Sequence, residues 1–227
     1  MTKVYVSMLL GMYMLNSCAT IQNNSKYELV DGNYKLKIDG RKYDCYVENS
    51  TDSIIIYNLA TNISTSLPQQ AVVFMPLQQH FIKPSFDIDI LTALFKIRPK
   101  SKNSLPTQLN ANFNGNIYVG RRTDIYQVHY KKSPVNTYKR QINHFGFSTG
   151  FFVGVGNTAM TPSTTNNGIS SEYDGLVLQK GIAGIIAVNK LTIGLSLGFD
   201  NLLDHNKKSW IYNNKPWYGL MLCLNLN

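Results

Sequence analysis

From Leu109 to Gly120 apolar and polar residues alternate. Leu109, Ala111, Phe113, Ile117 and Val119 hold the odd positions, and Asn110, Asn112, Asn114, Asn116 and Tyr118 hold the even ones. A strand with this period carries an apolar row on one face and an amide row on the other. The pattern returns three times. Phe145, Phe147, Phe151, Val153 and Val155 lie opposite Gly146, Ser148, Gly150, Gly154 and Gly156; Leu191, Ile193, Leu195, Leu197 and Phe199 lie opposite Thr192, Gly194, Ser196, Gly198 and Asp200. Tyr218, Leu220, Leu222, Leu224 and Leu226 lie opposite Trp217, Gly219, Met221 and Cys223. Leu176 to Val188 is a more mixed strand, largely apolar on both faces, and Phe86 to Ile97 supplies one more, so six strands are clear.

Each row is about 10 residues long, the length a tilted strand needs to cross a bilayer. The faces opposite the apolar rows are rich in Gly, Ser and Asn. In a soluble sandwich that face meets water, where Lys, Glu and Thr are expected and glycine weakens the strand for no gain. Inside a narrow barrel, small polar residues are what fit. The expected fold is therefore all-β: a small antiparallel up-and-down transmembrane β-barrel over residues 85–227. Eight is the smallest usual strand number. The missing pair is expected from Asp124 to Asn143, which alternates poorly, or from the N-terminal region. A soluble periplasmic β-sandwich that binds a protein partner is the alternative.

Ahead of the barrel, residues 27–84 read as a small β-rich module. Tyr34 to Ile38 alternates, Asp39-Gly40 is a hairpin signal, and Tyr43 to Val47 and Ser53 to Tyr57 come after it. Three or four short strands make a poor independent core, so the module is expected to lean on something else. Loop lengths alternate too. The turn at Asn189 is tight, whereas Asn157 to Asp174 and Asn201 to Lys215 are long and polar. Outer-membrane barrels have short periplasmic turns and long outer loops, which puts Ser163 and Lys207 outside and Asn189 in the periplasm.

Residues 1–18 read as an export signal. Lys3 gives a positive start, and Val4 to Leu15 is an apolar run broken only by Ser7, shorter than the roughly 20 residues of a spanning helix. The run ends Leu15-Asn16-Ser17-Cys18, which resembles a bacterial lipobox and implies lipidation of Cys18; an ordinary signal peptide cut near Ala19 is the alternative. Residues 19–26 read as a tether. In Bacteroidota-like lipoproteins, surface export uses acidic residues just after the cysteine. Ala19 to Ser25 has none, which implies anchoring on the periplasmic leaflet of the outer membrane.

Composition agrees with an envelope address. Charged residues are 15%, against about 25% in ordinary soluble domains. The net charge of +9 invites a nucleic-acid reading, but the cations sit in turn-like segments and an exported chain does not meet cytoplasmic nucleic acid. Lipopolysaccharide phosphate is the better partner for basic loops. Chemistry is hard to find. There is no CxxC or HxxxH, no GxSxG, and no nucleophile and carboxylate arranged together around His80, His129, His144 or His205. Gly150 to Gly156 is glycine-dense but has no helix after it, so a dinucleotide site is not expected. No catalytic, metal or cofactor site is therefore expected. Asp87 and Asp89 share a strand face and are expected to pair with Arg98, Arg121 or Arg122 as a structural cluster. Cys45 and Cys223 are expected to stay unpaired. Lys207, Lys208, Trp210, Tyr212, Lys215, Trp217 and Tyr218 combine cations with aromatics and read as an interfacial girdle with flanking lysines.

The C-terminal region resembles small outer-membrane barrels of the OmpA/OmpW-like kind, joined here to a Bacteroidota-like lipoprotein N-terminus. The resemblance is architectural and covers roughly residues 86–227. It departs from the pattern in ending Leu224-Asn225-Leu226-Asn227 rather than in phenylalanine. The expected role is a non-catalytic, structural or accessory subunit of a larger outer-membrane assembly for uptake, secretion or surface maintenance, with outer-membrane proteins as partners. A barrel that transports or binds a small apolar molecule is the alternative.

Overall fold

The structure, a computed structural model, describes residues 27–73, 78–100, 105–189 and 191–225. It is all-β, and every strand pairing is antiparallel. Four short strands open the chain: β1 (Gly32–Ile38), β2 (Arg41–Asn49), β3 (Ser53–Asn58) and β4 (Ser64–Pro68), with the two-residue β5 (Gln70–Ala71) after them. Then come β6 (Gln79–Arg98), β7 (Gln108–Asn110), β8 (Asn114–Lys132), β9 (Tyr138–Met160), β10 (Tyr173–Val188), β11 (Leu191–Leu202) and β12 (Pro216–Asn225). No helix of the described residues is long and apolar enough to cross a membrane, a statement that does not bear on strands.

Strands pair in the order β6-β8-β9-β10-β11-β12, and β12 returns to β6, so the sheet closes on itself as a ring. Among the described residues six strands make this ring, not eight. The segment expected to supply the missing pair, Asp124 to Asn143, forms the lower halves of β8 and β9 instead, in one unbroken register from Asn114↔Gly156 to Lys132↔Tyr138. Its alternation is poor because it leaves the ring and faces a different neighbour.

That neighbour is the N-terminal module. β1 pairs with the start of β6, β2 to β4 continue the sheet, and β5 pairs with the start of β9. Leu36, Val47, Ile54 and Leu67 pack against Phe81, Tyr126 and Val128 from β6 and β8. Four short strands cannot bury enough surface alone, and the long strands supply the other wall. Position 84/85 falls inside β6, which runs on without a break. Cys45 lies in this core and Cys223 inside the ring, and both are free thiols.

Two hairpins obey their local signals. Asp39 and Gly40 both adopt positive φ (46° and 82°), the conformation a two-residue hairpin requires. Asn189, also at positive φ, turns β10 into β11 with Val188 opposite Leu191. The connections from β6 to β7, from β9 to β10 and from β11 to β12 are longer, and they leave from the end of the ring away from the N-terminal module.

The rows read from sequence fall on the faces expected of them. Asn116, Tyr118, Phe152, Ser196, Trp217 and Met221 point into the ring and are buried; Ile117, Phe151, Ile182, Leu195 and Leu222 point outward and are exposed. A ring this narrow has room for few large side chains, and glycines make that room. A Cβ on Gly198 would run into the Trp217 ring, and one on Gly120 would run into the Tyr118 hydroxyl. The aromatic rings lie on these glycines. The interior is therefore filled by Leu91, Tyr118, Phe152, Ile185, Trp217 and Met221, each at most 3% exposed.

Candidate functional site: two charged clusters inside the ring

The first cluster lies beside the long loops and depends on a break in the β6 pattern. Inward residues on β6 are Asp87, Asp89, Leu91 and Ala93, all odd. Met221 pairs with Ala93 but Leu220 pairs with Phe95, so Leu94 is an extra residue, a β-bulge. A bulge shifts strand phase by one and re-aims the side chains past it. After Leu94 the even positions turn inward, and Lys96 and Arg98 are each 3% exposed. Asn114 bridges the bulge on the other side. Its Nδ2 donates to the Ala93 carbonyl at 3.0 Å, and its Oδ1 accepts from the Ala93 N–H at 2.7 Å. The amide stands in for the missing β8 backbone, and β7 then takes over at Lys96 to Arg98. Residues 111–113 are not strand, which breaks the single run expected from Leu109 to Gly120, and Phe113 is exposed.

Lys96 and Arg98 meet Asp200 from β11. Lys96 Nζ lies 3.1 Å and Arg98 Nη2 2.6 Å from Asp200 Oδ2, while Trp217 Nε1 donates to Oδ1 at 2.8 Å. The Arg98 guanidinium sits against both the Trp210 and Tyr212 rings, 4.9 and 5.1 Å from their centroids, and Lys96 sits 4.6 Å from the Trp217 ring. Burying these charges is tolerated because each is paired and flanked by aromatic faces.

The second cluster lies where the ring meets the N-terminal module. Arg122 Nε contacts both Asp124 oxygens at 2.8 and 3.0 Å, and His144 Nε2 lies 2.7 Å from Asp124 Oδ1. The Asn189 side chain accepts from the His144 backbone N–H at 3.0 Å, and Tyr27 stacks edge-on against the His144 ring. The Tyr27 hydroxyl reaches Thr192 Oγ1 at 3.1 Å. This cluster fastens the start of the described chain, the β10–β11 turn and the floor of the ring to one another. Asp87 and Asp89 point into the same interior, buried as expected of a charge cluster. Of the three arginines, Arg122 pairs with Asp124 and also feels the charge of Asp87, Arg98 goes to Asp200, and Arg121 points outward.

The aromatic and cationic residues expected to form one interfacial girdle divide in two. Trp210, Tyr212 and Trp217 are buried at 3%, 4% and 1%, and plug the ring rather than facing outward. Trp217 is on the inward row of β12, and the loop before β12 folds Trp210 and Tyr212 down onto Arg98. Tyr218, one residue on, points out and is 55% exposed. Lys207, Lys208 and Lys215 stay on the exposed loop. Cys18 lies outside the described residues. Lys96 is not legible from sequence as an interior cation, because the bulge has no local signature. Asp200, a carboxylate in a row of Gly and Ser, is the one clue that a cation has to face it.

Among the described residues, no three His, Cys, Asp or Glu side chains gather to hold a metal ion. Comparison with protein-family models, with curated proteins and with solved structures found no match.

Proposed function

We propose that this chain is an outer-membrane β-barrel lipoprotein, anchored through Cys18, that acts as a structural or accessory subunit of a larger envelope assembly. One observation carries the reading. The ring is filled inside by an aromatic and aliphatic centre with charged clusters at both ends, while its outward rows form a second, exposed apolar surface. Phe147, Phe151, Ile182, Ile186, Leu195 and Leu222 are between 47% and 74% exposed. Soluble monomers rarely leave apolar patches beyond a few hundred Å² to water, whereas a lipid-facing band is expected to look like this. Two cations interrupt the outward face: Arg121, opposite Phe86, and Lys180, opposite Phe199. Their long side chains can run along the apolar face to bring the charge to the headgroups.

An accessory role is favoured over transport because the interior is packed with side chains. The N-terminal module hangs from the short-turn end, which this reading puts in the periplasm beside partner proteins. The exposed lysines of the opposite loops then face lipopolysaccharide phosphate. The test is fractionation of cells producing wild type and Cys18→Ser, with lipid labelling, heat-modifiable gel migration, and surface labelling of a cysteine introduced at Ser163. We expect wild type in the membrane fraction, lipid-labelled and heat-modifiable, with position 163 labelled in whole cells. Wild type that carries no lipid label and stays in the soluble fraction, with Cys18→Ser processed in the same way, would remove both the anchor and the barrel.

A further inference from the structure

We infer that the long loops at the mouth of the ring form a binding site for a phosphorylated sugar, with Lys100, Lys208 and Lys215 on the phosphate and Pro99, Ile211 and Pro216 against the sugar. A cavity of about 420 Å³ lies between these six residues, with Trp210 also in its wall. Small-molecule sites run from about 300 to 1,000 Å³, and a phosphate alone would fill only a small part of this one. The wall comes from three stretches of chain that are held to one another. Pro99 and Lys100 leave the end of β6, Asn166 comes from the β9–β10 connection, and residues 208–216 belong to the β11–β12 connection. The Ile211 N–H donates to the Thr164 carbonyl at 3.0 Å, and the Asn214 N–H to the Asp200 carbonyl at 2.8 Å. Gly168 lies so close to Ser209 that a Cβ on it would come within 3.3 Å of that side chain. The cavity thus has walls fixed by packing between loops.

Charge selects the ligand. Three lysines line this cavity, and no Asp or Glu does. All three are exposed, and none makes an ion pair among the described residues. The carboxylates of the same loop are engaged elsewhere. Asp200 takes Lys96, Arg98 and Trp217, and Asp204 accepts from the Asn206 N–H and the Tyr173 hydroxyl, each at 2.7 Å. A cleft lined by one sign of charge focuses its field and concentrates ligands of the opposite sign. A phosphate monoester at neutral pH carries about two negative charges and three acceptor oxygens, enough to take up all three ammonium groups at once. Pro99 and Pro216 are exposed and Ile211 half-buried, which leaves an apolar patch beside the lysines for the carbon face of a sugar ring. The source of the sugar phosphate rests on the membrane reading, in which these loops meet the headgroup of a phosphorylated glycolipid. The affinity itself does not.

Full-length protein in neutral detergent micelles is titrated with glucose phosphate (the terminal phosphate monoester of glucose), with glucose, with inorganic phosphate and with sodium chloride at equal ionic strength. Binding is followed by calorimetry and by tryptophan fluorescence, to which Trp210 in the cavity wall contributes. We expect saturable binding of glucose phosphate, tighter than that of inorganic phosphate, and none of glucose. Lys100→Gln, Lys208→Gln and Lys215→Gln should each weaken it about fivefold, as for a solvated ion pair. Lys207→Gln, on the same loop but outside the cavity, should leave it unchanged. All four lysines are exposed, so the variants keep the fold. A phosphorylated glycolipid added to bilayers that hold the protein should compete with glucose phosphate, which assigns the headgroup as the source; undiminished binding there assigns a free sugar phosphate. Inorganic phosphate bound as tightly as glucose phosphate, a response matched by chloride or glucose, or a loss in Lys207→Gln equal to that in the other three would overturn the proposal. Protein that binds glucose phosphate yet stays soluble without detergent would sink the membrane reading alone.

Discussion

Leu195→Arg separates a ring in lipid from a ring in water, because the two settings assign the same side chain opposite costs. Leu195 is the third of five outward apolar residues on β11, between Ile193 and Leu197, and is 64% exposed. It pairs with Leu220 on one side and Gly184 on the other, with exposed apolar Ile193 and Leu191 on one side of it along β11 and Leu197 on the other. In a bilayer its replacement by Arg buries a cation near the midplane of the lipid face, at about 2–4 kcal/mol. At 1.4 kcal/mol per tenfold, the folding equilibrium drops roughly 30- to 700-fold. In water the same change at a mostly exposed site stays within about 0.5 kcal/mol. The assay is reversible urea unfolding in thin phosphatidylcholine bilayers, monitored by tryptophan fluorescence and by the heat-modifiable gel shift. A variant whose unfolding free energy lies within about 0.5 kcal/mol of wild type in bilayers would refute the lipid-facing assignment of this row.

Ser196→Lys tests the opposite face: Ser196 is 7% exposed and its hydroxyl donates to the Gly219 carbonyl at 3.2 Å, so a long cation there overpacks and is buried unpaired. Overpacking alone costs about 1–3 kcal/mol and the charge several more, so folded yield should collapse; wild-type yield and stability would contradict the filled interior. Asn114→Ala strands the Ala93 N–H and carbonyl at the bulge, at about 1–3 kcal/mol for each unsatisfied group, and a calorimetric melt unchanged from wild type would deny Asn114 its bridging role. Burial pushes the Cys45 thiol from 9.0 up to about 11, so the fold favours the neutral thiol. That contribution is complete below about pH 9 and is lost as pH rises toward about 11. Peptide mapping after iodoacetamide at about pH 8 should find Cys45 unmodified in native protein and modified in urea. The urea midpoint should fall between about pH 9 and pH 11, and a flat midpoint would contradict the buried thiol.

Alternation with period two determined much of this protein unaided. A row such as Leu191 to Phe199 opposite Gly194, Ser196 and Gly198 has one way to lie in a narrow ring, because only small residues fit beside the Trp217 ring. Asp39-Gly40 and Asn189 fixed their turns because positive φ is a local demand. Strand number was not local. Asp124 to Asn143 contains strand-forming residues with no rhythm of its own, and only its pairing with the N-terminal module and with itself across the hairpin decided that it lengthens β8 and β9. The interior clusters were less legible still. Arg98 and Asp200 are 102 residues apart, and one inserted residue at Leu94 decides whether Lys96 and Arg98 look inward or outward. A bulge is stabilised by a partner strand, here through the Asn114 amide, so it leaves no mark on the strand that carries it. Trp210 and Tyr212 read as surface residues because they lie in a polar loop, and became interior ones once that loop folded over a buried cation.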